Sequence, residues 1–155
     1  MKHLLPLLIT VTTLAASDFH DRLGLQMWSL RDQAKESTTG ALDLARGYGF
    51  TEIEAAGTGS LTAGDYAKAL AARGLRAVAG HYSYDRLSTD LPGVISEAKA
   101  LGLKFVVCPY PRTEKGKGVT EAIIHTMAAD FNRWGAACKA AGLRFGFHPH
   151  GLEFV

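Results

Sequence analysis

The chain has 155 residues, 47% of them hydrophobic and 21% charged, with 17 Gly, 5 Pro and 2 Cys. This is the composition of an ordinary globular domain, and it excludes a disordered tail, a disulfide-stapled miniprotein and a collagen-like fibre. The 17 Lys and Arg residues against 15 Asp and Glu give a net charge of +2. Because the basic residues are scattered rather than clustered, the sequence predicts no nucleic-acid partner.

The N-terminal segment has the layout of a secretory signal peptide. A short basic start, Met1 to His3, precedes an apolar run from Leu4 to Ala16 that is too short to span a bilayer, and small residues lead up to Ser17. We therefore expect residues 1–17 to be a signal peptide and residues 18–155 to be exported to the periplasm or the extracellular space. After cleavage we expect no stable membrane insertion; an uncleaved anchor is the alternative.

Short apolar strands alternate with Ala- and Leu-rich helical segments along the rest of the chain. The predicted strands are 24–28, 51–55, 75–80, 103–109 and 143–148. A glycine able to adopt the left-handed conformation that closes a last helical turn precedes each strand after the first. These glycines are Gly49, Gly74, Gly102 and Gly142.

Helix starts are marked by residues that favour the N-cap position. They are Ser37 or Thr38, Thr62 with Asp65, Asp90 with Pro92, and Thr120. The two cysteines fall within this pattern, Cys108 in a strand-like run and Cys138 in a helical one. We interpret both as buried thiols that act as small hydrophobic residues, in preference to a disulfide.

Strands separated by helices run parallel, because a helical crossover returns the chain to the same edge of the sheet. The predicted fold class is therefore α/β, with about five parallel strands and four helices. Two architectures fit: a complete, open five-stranded flavodoxin-like sheet, or part of a (β/α)8 TIM barrel, which takes about 250 residues. Since the chain ends a few residues after its fifth strand, with no closing helix, we expect a truncated barrel.

Reactive side chains in parallel α/β folds collect at the carboxyl ends of the strands. Glu54 is a carboxylate on a strand flanked by apolar residues, which favours a polar cavity over solvent as its surroundings. The position of His81 at the end of the third strand indicates a general acid/base or a substrate contact. The alternative is a core histidine whose hydrogen bonds are all made within the protein. The other strand-end residues are Gln26, Trp28, Tyr82, Cys108, Tyr110, His148, His150 and Glu153.

The fifth strand end carries the sharpest pattern. His148 and His150 share a side of an extended chain, and Glu153 can fold back towards them, which supplies two nitrogen ligands and one oxygen ligand for a divalent metal. The alternative is a strand end with hydrogen-bonded histidines.

Aromatic residues at the strand ends have two interpretations. Trp28, Tyr82 and Tyr110 form either an apolar wall for the face of a sugar or ordinary packing. After Trp28, the neighbouring Arg31 and Asp32 predict an ion pair that ties down the first loop.

These motifs resemble the sugar phosphate isomerase/epimerase family, the xylose isomerase-like barrel proteins. Gly24 to Asp32 is similar to the family's opening G-L-Q-L-Y-S-L-R-D, and Phe50 to Glu54 to its G-F-x-x-V-E strand. Gly80-His81 matches the third strand end, and Phe147 to Phe154 resembles Y-H-N-H-D-F-E-F. The resemblance covers the chain from about Gly24 to its end and corresponds to the front half of the barrel.

The resemblance implies a metal-dependent barrel that isomerises or epimerises a small carbohydrate by proton abstraction through an enediolate-like species. Glu54 and His81 would be catalytic, Gln26, Trp28, Tyr110 and His150 would bind substrate, and His148, His150 and Glu153 would bind manganese, cobalt, magnesium or zinc.

Further ligands would come from strands beyond the fifth, so we expect the full-length protein to be the enzyme and the chain alone to be inactive. A sugar lyase or dehydratase of the same fold, and an exported carbohydrate-binding module without catalysis, are the alternatives. A metal-dependent abasic-site endonuclease, also found on this barrel, is disfavoured by the weak positive charge. The oligomeric state stays open.

Overall fold

The computed structural model describes residues 23–116 and 118–151, so the predicted signal peptide and Glu153 lie outside the described residues. Five strands form one sheet: β1 (Gly24–Gln26), β2 (Glu52–Ala55), β3 (Arg76–His81), β4 (Phe105–Cys108) and β5 (Arg144–Phe147). The α-helices are α1 (Arg31–Glu36), α2 (Thr38–Gly47), α3 (Ala63–Ala71), α4 (Tyr84–Thr89), α5 (Leu91–Ala100) and α6 (Glu121–Ala140).

The strands are hydrogen-bonded in the order β1-β2-β3-β4-β5, and every neighbouring pair is parallel. A flavodoxin-like sheet has the order 2-1-3-4-5, because the chain reverses direction after its first strands. Here each new strand is added on the same side, as in a (β/α)8 barrel. The predicted partial TIM barrel is therefore confirmed, and the open flavodoxin-like alternative is wrong.

The predicted helix boundaries agree with the structure. The side chains of Ser37, Thr62, Asp90 and Thr120 each accept a hydrogen bond from the backbone N–H three residues on, as N-caps do. The four glycines between helix and strand all have positive φ, from 63° at Gly74 to 92° at Gly49. These local signals fix where each strand enters the sheet.

Two short helices, α1 and α4, were not predicted and lie directly before the predicted helix starts at Ser37 and Asp90. Ser37 has φ −154° and ψ 111°, so extended backbone separates α1 from α2. Asp90, with φ −141° and ψ 49°, ends α4 and caps α5, and Pro92 follows in the first turn of α5. Ser37 and Asp90 each have two effects: their backbone conformation ends one helix, and their side chain caps the next helix.

The first strand is shorter than predicted. It ends at Gln26, and residues Met27–Leu30 form a 3-10 helix instead of continuing the strand to Trp28. Met27 and Leu30 are buried, which turns the intervening Trp28 outwards with 58% of its surface exposed.

The core lies between the sheet and the helices. Ile53, Val106 and Cys108 on the strands are fully buried against helix residues such as Leu42 and Trp134. Trp134 of α6 packs edge-on against Tyr84 at 4.9 Å and against Phe145 of β5 at 5.7 Å between ring centroids, which fixes α6 on the outer side of the sheet. No helix within the described residues is long and apolar enough to cross a membrane.

Both cysteines are free and fully buried, as the sequence predicted. Burial raises the pKa of the Cys108 thiol to about 11 and raises the pKa of Cys138 as well. At pH 8 only about one Cys108 thiol in a thousand is then ionised, and the thiolate is the reactive form.

We expect neither thiol to react with the thiol reagent DTNB at pH 8 in the native chain over the time in which a free model thiol reacts completely. In guanidinium chloride both should react at once, because unfolding removes the burial. The absorbance of the released thionitrobenzoate gives the number of thiols that have reacted. Rapid reaction of one thiol under native conditions would contradict the burial of that side chain.

Candidate active site

A cavity of about 360 Å³ opens at the carboxyl ends of the strands. Its walls include the four side chains predicted to bind substrate, together with His81 and His148; the full lining is Gln26, Trp28, Ala56, His81, Pro109, Tyr110, His148 and His150. Residues that are up to 124 positions apart in sequence thus meet in one place. Trp28 and Tyr110 are exposed by 58% and 53%, so their rings are available at the cavity wall.

Glu54 and His81 come from neighbouring strands. Alternation along β2 buries Ile53 and Ala55 against the helices and turns Glu54 to the opposite face. His81 is the last residue of β3, one position beyond Gly80, which is the partner of Ala55. His81 Nε2 contacts Glu54 Oε1 as an ion-pair partner, and the side chains are 12% and 28% exposed.

The environment keeps Glu54 ionised. The hydrogen bond with His81 holds the pKa of the Glu54 carboxyl below its ordinary value, and the charge of His81 acts in the same direction, while burial opposes both. Gln26 Nε2 also donates to Glu54 Oε1 at 3.4 Å. Glu54 is therefore a carboxylate at neutral pH and an acceptor for donors or cations.

His148 reaches the same place from the far side of the sheet. Its backbone N–H donates to the Cys108 carbonyl at 3.0 Å, which extends the pairing of β5 with β4 by one residue. Its Nδ1 lies 3.4 Å from Gln26 Nε2 on β1. Because β1 and β5 are the outermost strands of the sheet, this contact requires the sheet to curve strongly.

Glu54, His81 and His148 together form a group that fits a divalent metal. One ligand atom of each lies within 4.8 Å of the other two. Two imidazole nitrogens and one carboxylate oxygen are a donor set typical of catalytic zinc and related ions, which are bound at about 2.0–2.2 Å by three protein ligands and keep an open position. His81 and His148 of this group also line the cavity, so an open coordination position would face it.

This group differs from the metal site predicted from the fifth strand end. Only His148 belongs to both. The ring of His150 instead stacks on His148 at 4.5 Å with an interplanar angle of 6°, and on Tyr110 at 4.3 Å. His150 follows β5, which ends at Phe147, and it is not a member of the group formed by Glu54, His81 and His148. Glu153 lies outside the described residues.

Two further sequence interpretations are corrected. Asp32 pairs with Lys35 at 2.8 Å, and Arg31 lies over the Trp28 ring, so the expected ion pair between Arg31 and Asp32 is wrong. Tyr82 is 4% exposed and lies beneath Arg86, away from the cavity lining, which settles its two interpretations in favour of packing.

Comparison with known proteins identifies the fold. No protein-family model matches the chain, and no curated protein matches it in sequence. The crystal structure of a sugar phosphate isomerase/epimerase from Parabacteroides distasonis has a TM-score of 0.64 and 25% identity, over 93% of this chain and 56% of that one. An IolI protein with a bound zinc atom has a TM-score of 0.64 and 16% identity, over 81% and 50%.

A family 2 AP endonuclease from Brucella melitensis has a TM-score of 0.66 and 16% identity, over 83% of this chain and 55% of that one. The chain therefore spans about half the length of these proteins. Its structural neighbours are sugar phosphate isomerase/epimerase and xylose isomerase-like TIM barrel proteins, which confirms the resemblance predicted from the sequence. The likeness to the AP endonuclease, at 16% identity, concerns the fold.

We expect the Glu54 carboxyl to titrate below its ordinary pKa of 4.5 in metal-free chain, and His81→Gln to raise that pKa more than Gln26→Ala does, because the hydrogen bond with His81 has the largest effect. The ionised carboxylate then stabilises the fold above pH 4.5, and this contribution is lost as the pH falls through the folded-state pKa. Carbon-13 NMR of the carboxyl carbons follows the titration. A Glu54 pKa above 4.5 in the native chain would contradict the contact with His81.

Proposed function

We propose that the complete protein is a divalent-metal-dependent sugar isomerase or epimerase and that the 155-residue chain is inactive by itself. The observation that supports this most is the group of Glu54, His81 and His148, whose two histidines line the same cavity as the exposed Trp28 and Tyr110. The structural likeness to a sugar phosphate isomerase/epimerase, and to an IolI protein that carries zinc, supports the same activity.

Glu54, His81 and His148 would hold the metal. A divalent ion bound there polarises an oxygen of the substrate and stabilises the negative charge that develops on it. Their two imidazoles suit zinc, cobalt or manganese better than magnesium, which prefers oxygen ligands. Gln26 lies between Glu54 and His148, at 3.4 Å from each, and orients both side chains.

Proton transfer has two candidate carriers. Glu54 and His81 form a contacting carboxylate–imidazole pair that can take a proton from the carbon beside a carbonyl and return it to the neighbouring atom. If both are instead metal ligands, His150 at the cavity wall is an imidazole outside the ligand group that could carry the proton. The ligand atoms of Glu54, His81 and His148 lie within 4.8 Å of one another, which favours the metal-ligand role for Glu54 and His81.

The substrate would be a small carbohydrate bound against aromatic faces. Trp28 and Tyr110 offer flat apolar surfaces to the C–H face of a sugar ring, while Gln26 and the histidines offer hydrogen bonds to hydroxyl groups. The residues that line the cavity in the described part of the chain include neither Lys nor Arg. This lining suits an uncharged sugar unit.

We expect the chain to bind zinc or manganese with one site, and His81→Ala and His148→Ala each to weaken binding by more than the roughly 10–100-fold that loss of an outer-shell partner costs. Isothermal titration calorimetry measures the affinity. His150→Ala is the matched control, because it removes an imidazole from the same cavity but outside the ligand group, and it should change the affinity less than His81→Ala.

The opposite order, with His150→Ala abolishing binding and His81→Ala leaving it intact, would instead support the ligand set His148, His150 and Glu153. Glu54 and His81 would then be left as the proton-transfer pair. No metal binding by any form, including the complete protein, would defeat the proposal.

A second measurement tests the reaction itself. With added manganese the complete protein should exchange hydrogen at the carbon beside the carbonyl of a sugar with solvent deuterium, because proton abstraction precedes every product of an enediolate-like species. NMR follows the loss of that proton signal. The 155-residue chain should show no exchange, and turnover of any sugar by it would contradict its proposed inactivity.

A further inference from the structure

A second cavity adjoins the candidate active site. It has a volume of about 230 Å³, and Trp28 and Ala56 line both cavities. Its other walls come from the 3-10 helix after β1, from α1 and from the loop after β2, and include Met27, Ala34 and Gly57. Because the two cavities share the Trp28 wall, a ligand that extends past this side chain enters both.

The exposure of Trp28 is enforced by the local structure. Met27 and Leu30 anchor the 3-10 helix in the core with 5% and 8% exposure, which leaves Trp28 58% exposed between them. Arg31 holds it there, with Cζ 5.5 Å from the ring centroid and Nη1 donating to the Trp28 carbonyl at 3.1 Å. A large aromatic ring kept out of the core beside a cavity is a surface suited to a ligand.

Two cations, Arg31 and Lys35, line the second cavity, and both contact neighbours on their own segment. Arg31 contacts Trp28, and Lys35 Nζ pairs with Asp32 Oδ1 at 2.8 Å. A phosphate site needs several donors that converge on one point. Here the two cations already have these partners, and apart from them and Thr38 the lining consists of apolar, aromatic and glycine residues, which suits a sugar ring better than an anionic group.

We infer that the second cavity binds the second ring of a disaccharide or glycoside whose reacting sugar lies in the first cavity, with Trp28 contacting both rings. The identity of the first ring as a sugar rests on the proposed function. The placement of a further ring past Trp28 rests on the shared wall of the two cavities.

Tryptophan fluorescence tests this directly. The chain has two tryptophans, and Trp134 is fully buried, so an emission change on adding a small sugar reports Trp28. The probes are glucose, glucose 6-phosphate, cellobiose and maltose, each titrated into the chain with and without zinc. We expect at least one disaccharide to bind about tenfold more tightly than glucose, the range that one aromatic contact provides. Trp28→Phe should abolish the signal.

Ala34→Phe fills the second cavity from α1 and should remove the preference for the disaccharide while leaving glucose binding unchanged. Thr38→Phe fills the same cavity from α2 and replaces that variant if circular dichroism shows it to be unfolded. Lys68→Ala on α3 is the control, because this side chain is 82% exposed and belongs to the lining of neither cavity, and it should leave both affinities unchanged.

Equal affinities for glucose and the disaccharides, tighter binding of glucose 6-phosphate, or no binding of any of these sugars would overturn the inference. Its failure is distinguishable from failure of the proposed function. A disaccharide preference without metal binding defeats the metal-dependent reaction alone, whereas metal binding with equal sugar affinities defeats the second-ring site alone.

Discussion

The candidate site depends on the curvature of the parallel sheet. Gln26 belongs to the first strand and His148 follows the fifth, yet their side chains lie 3.4 Å apart. Flat strands about 4.8 Å apart would place the first and fifth strands nearly 20 Å from one another. The twist and tilt that close a barrel bring both edges over the concave face, so the carboxyl ends of all five strands converge on one cavity.

This curvature is maintained from the outer side. Cys108 and Val106 on β4, like Ile53 on β2, are buried completely beneath the helices, and Trp134 of α6 packs on Phe145 of β5. The small, buried side chain of Ala77 lets the helices approach the middle of the sheet closely. The side chains packed beneath the helices on the convex face therefore position the side chains of the candidate site on the concave face through the strands between them.

Local sequence signals predicted most helix and strand boundaries well, because these signals act over three or four residues. Thr62 caps α3 and Gly74 closes the chain after it, whatever the rest of the molecule does. The six-residue helices α1 and α4 were missed, since helices this short are held by tertiary contacts such as the burial of Leu87 rather than by their own propensity. The parallel orientation of the strands followed from their alternation with helices, whereas the alternation fits more than one strand order.

The membership of the site was predictable, but its internal pairing was not. Glu54, His81 and His148 follow from their positions at strand ends. Which of them meet depends on the register shift between Ile53 and Glu54 and on the end of β5 at Phe147, and neither has a signature in the sequence. The spacing of His148 and His150 predicts that their side chains lie on one side of the chain, and their rings do stack at 4.5 Å, but the contacts between His148, Glu54 and His81 join different strands.

The metal-free site satisfies its own charge, which has a consequence for metal binding. A carboxylate that is only 28% exposed loses hydration and needs partners, and Glu54 has them in His81 and Gln26. A metal bound by Glu54 and His81 would have to replace the direct contact between these side chains. The free energy of metal binding would therefore be that of the new metal–ligand bonds minus that of the lost contact. Because a metal-bound imidazole must be unprotonated, protons compete with the metal for the same nitrogens. The arrangement that keeps Glu54 ionised would thus weaken the binding of the proposed metal.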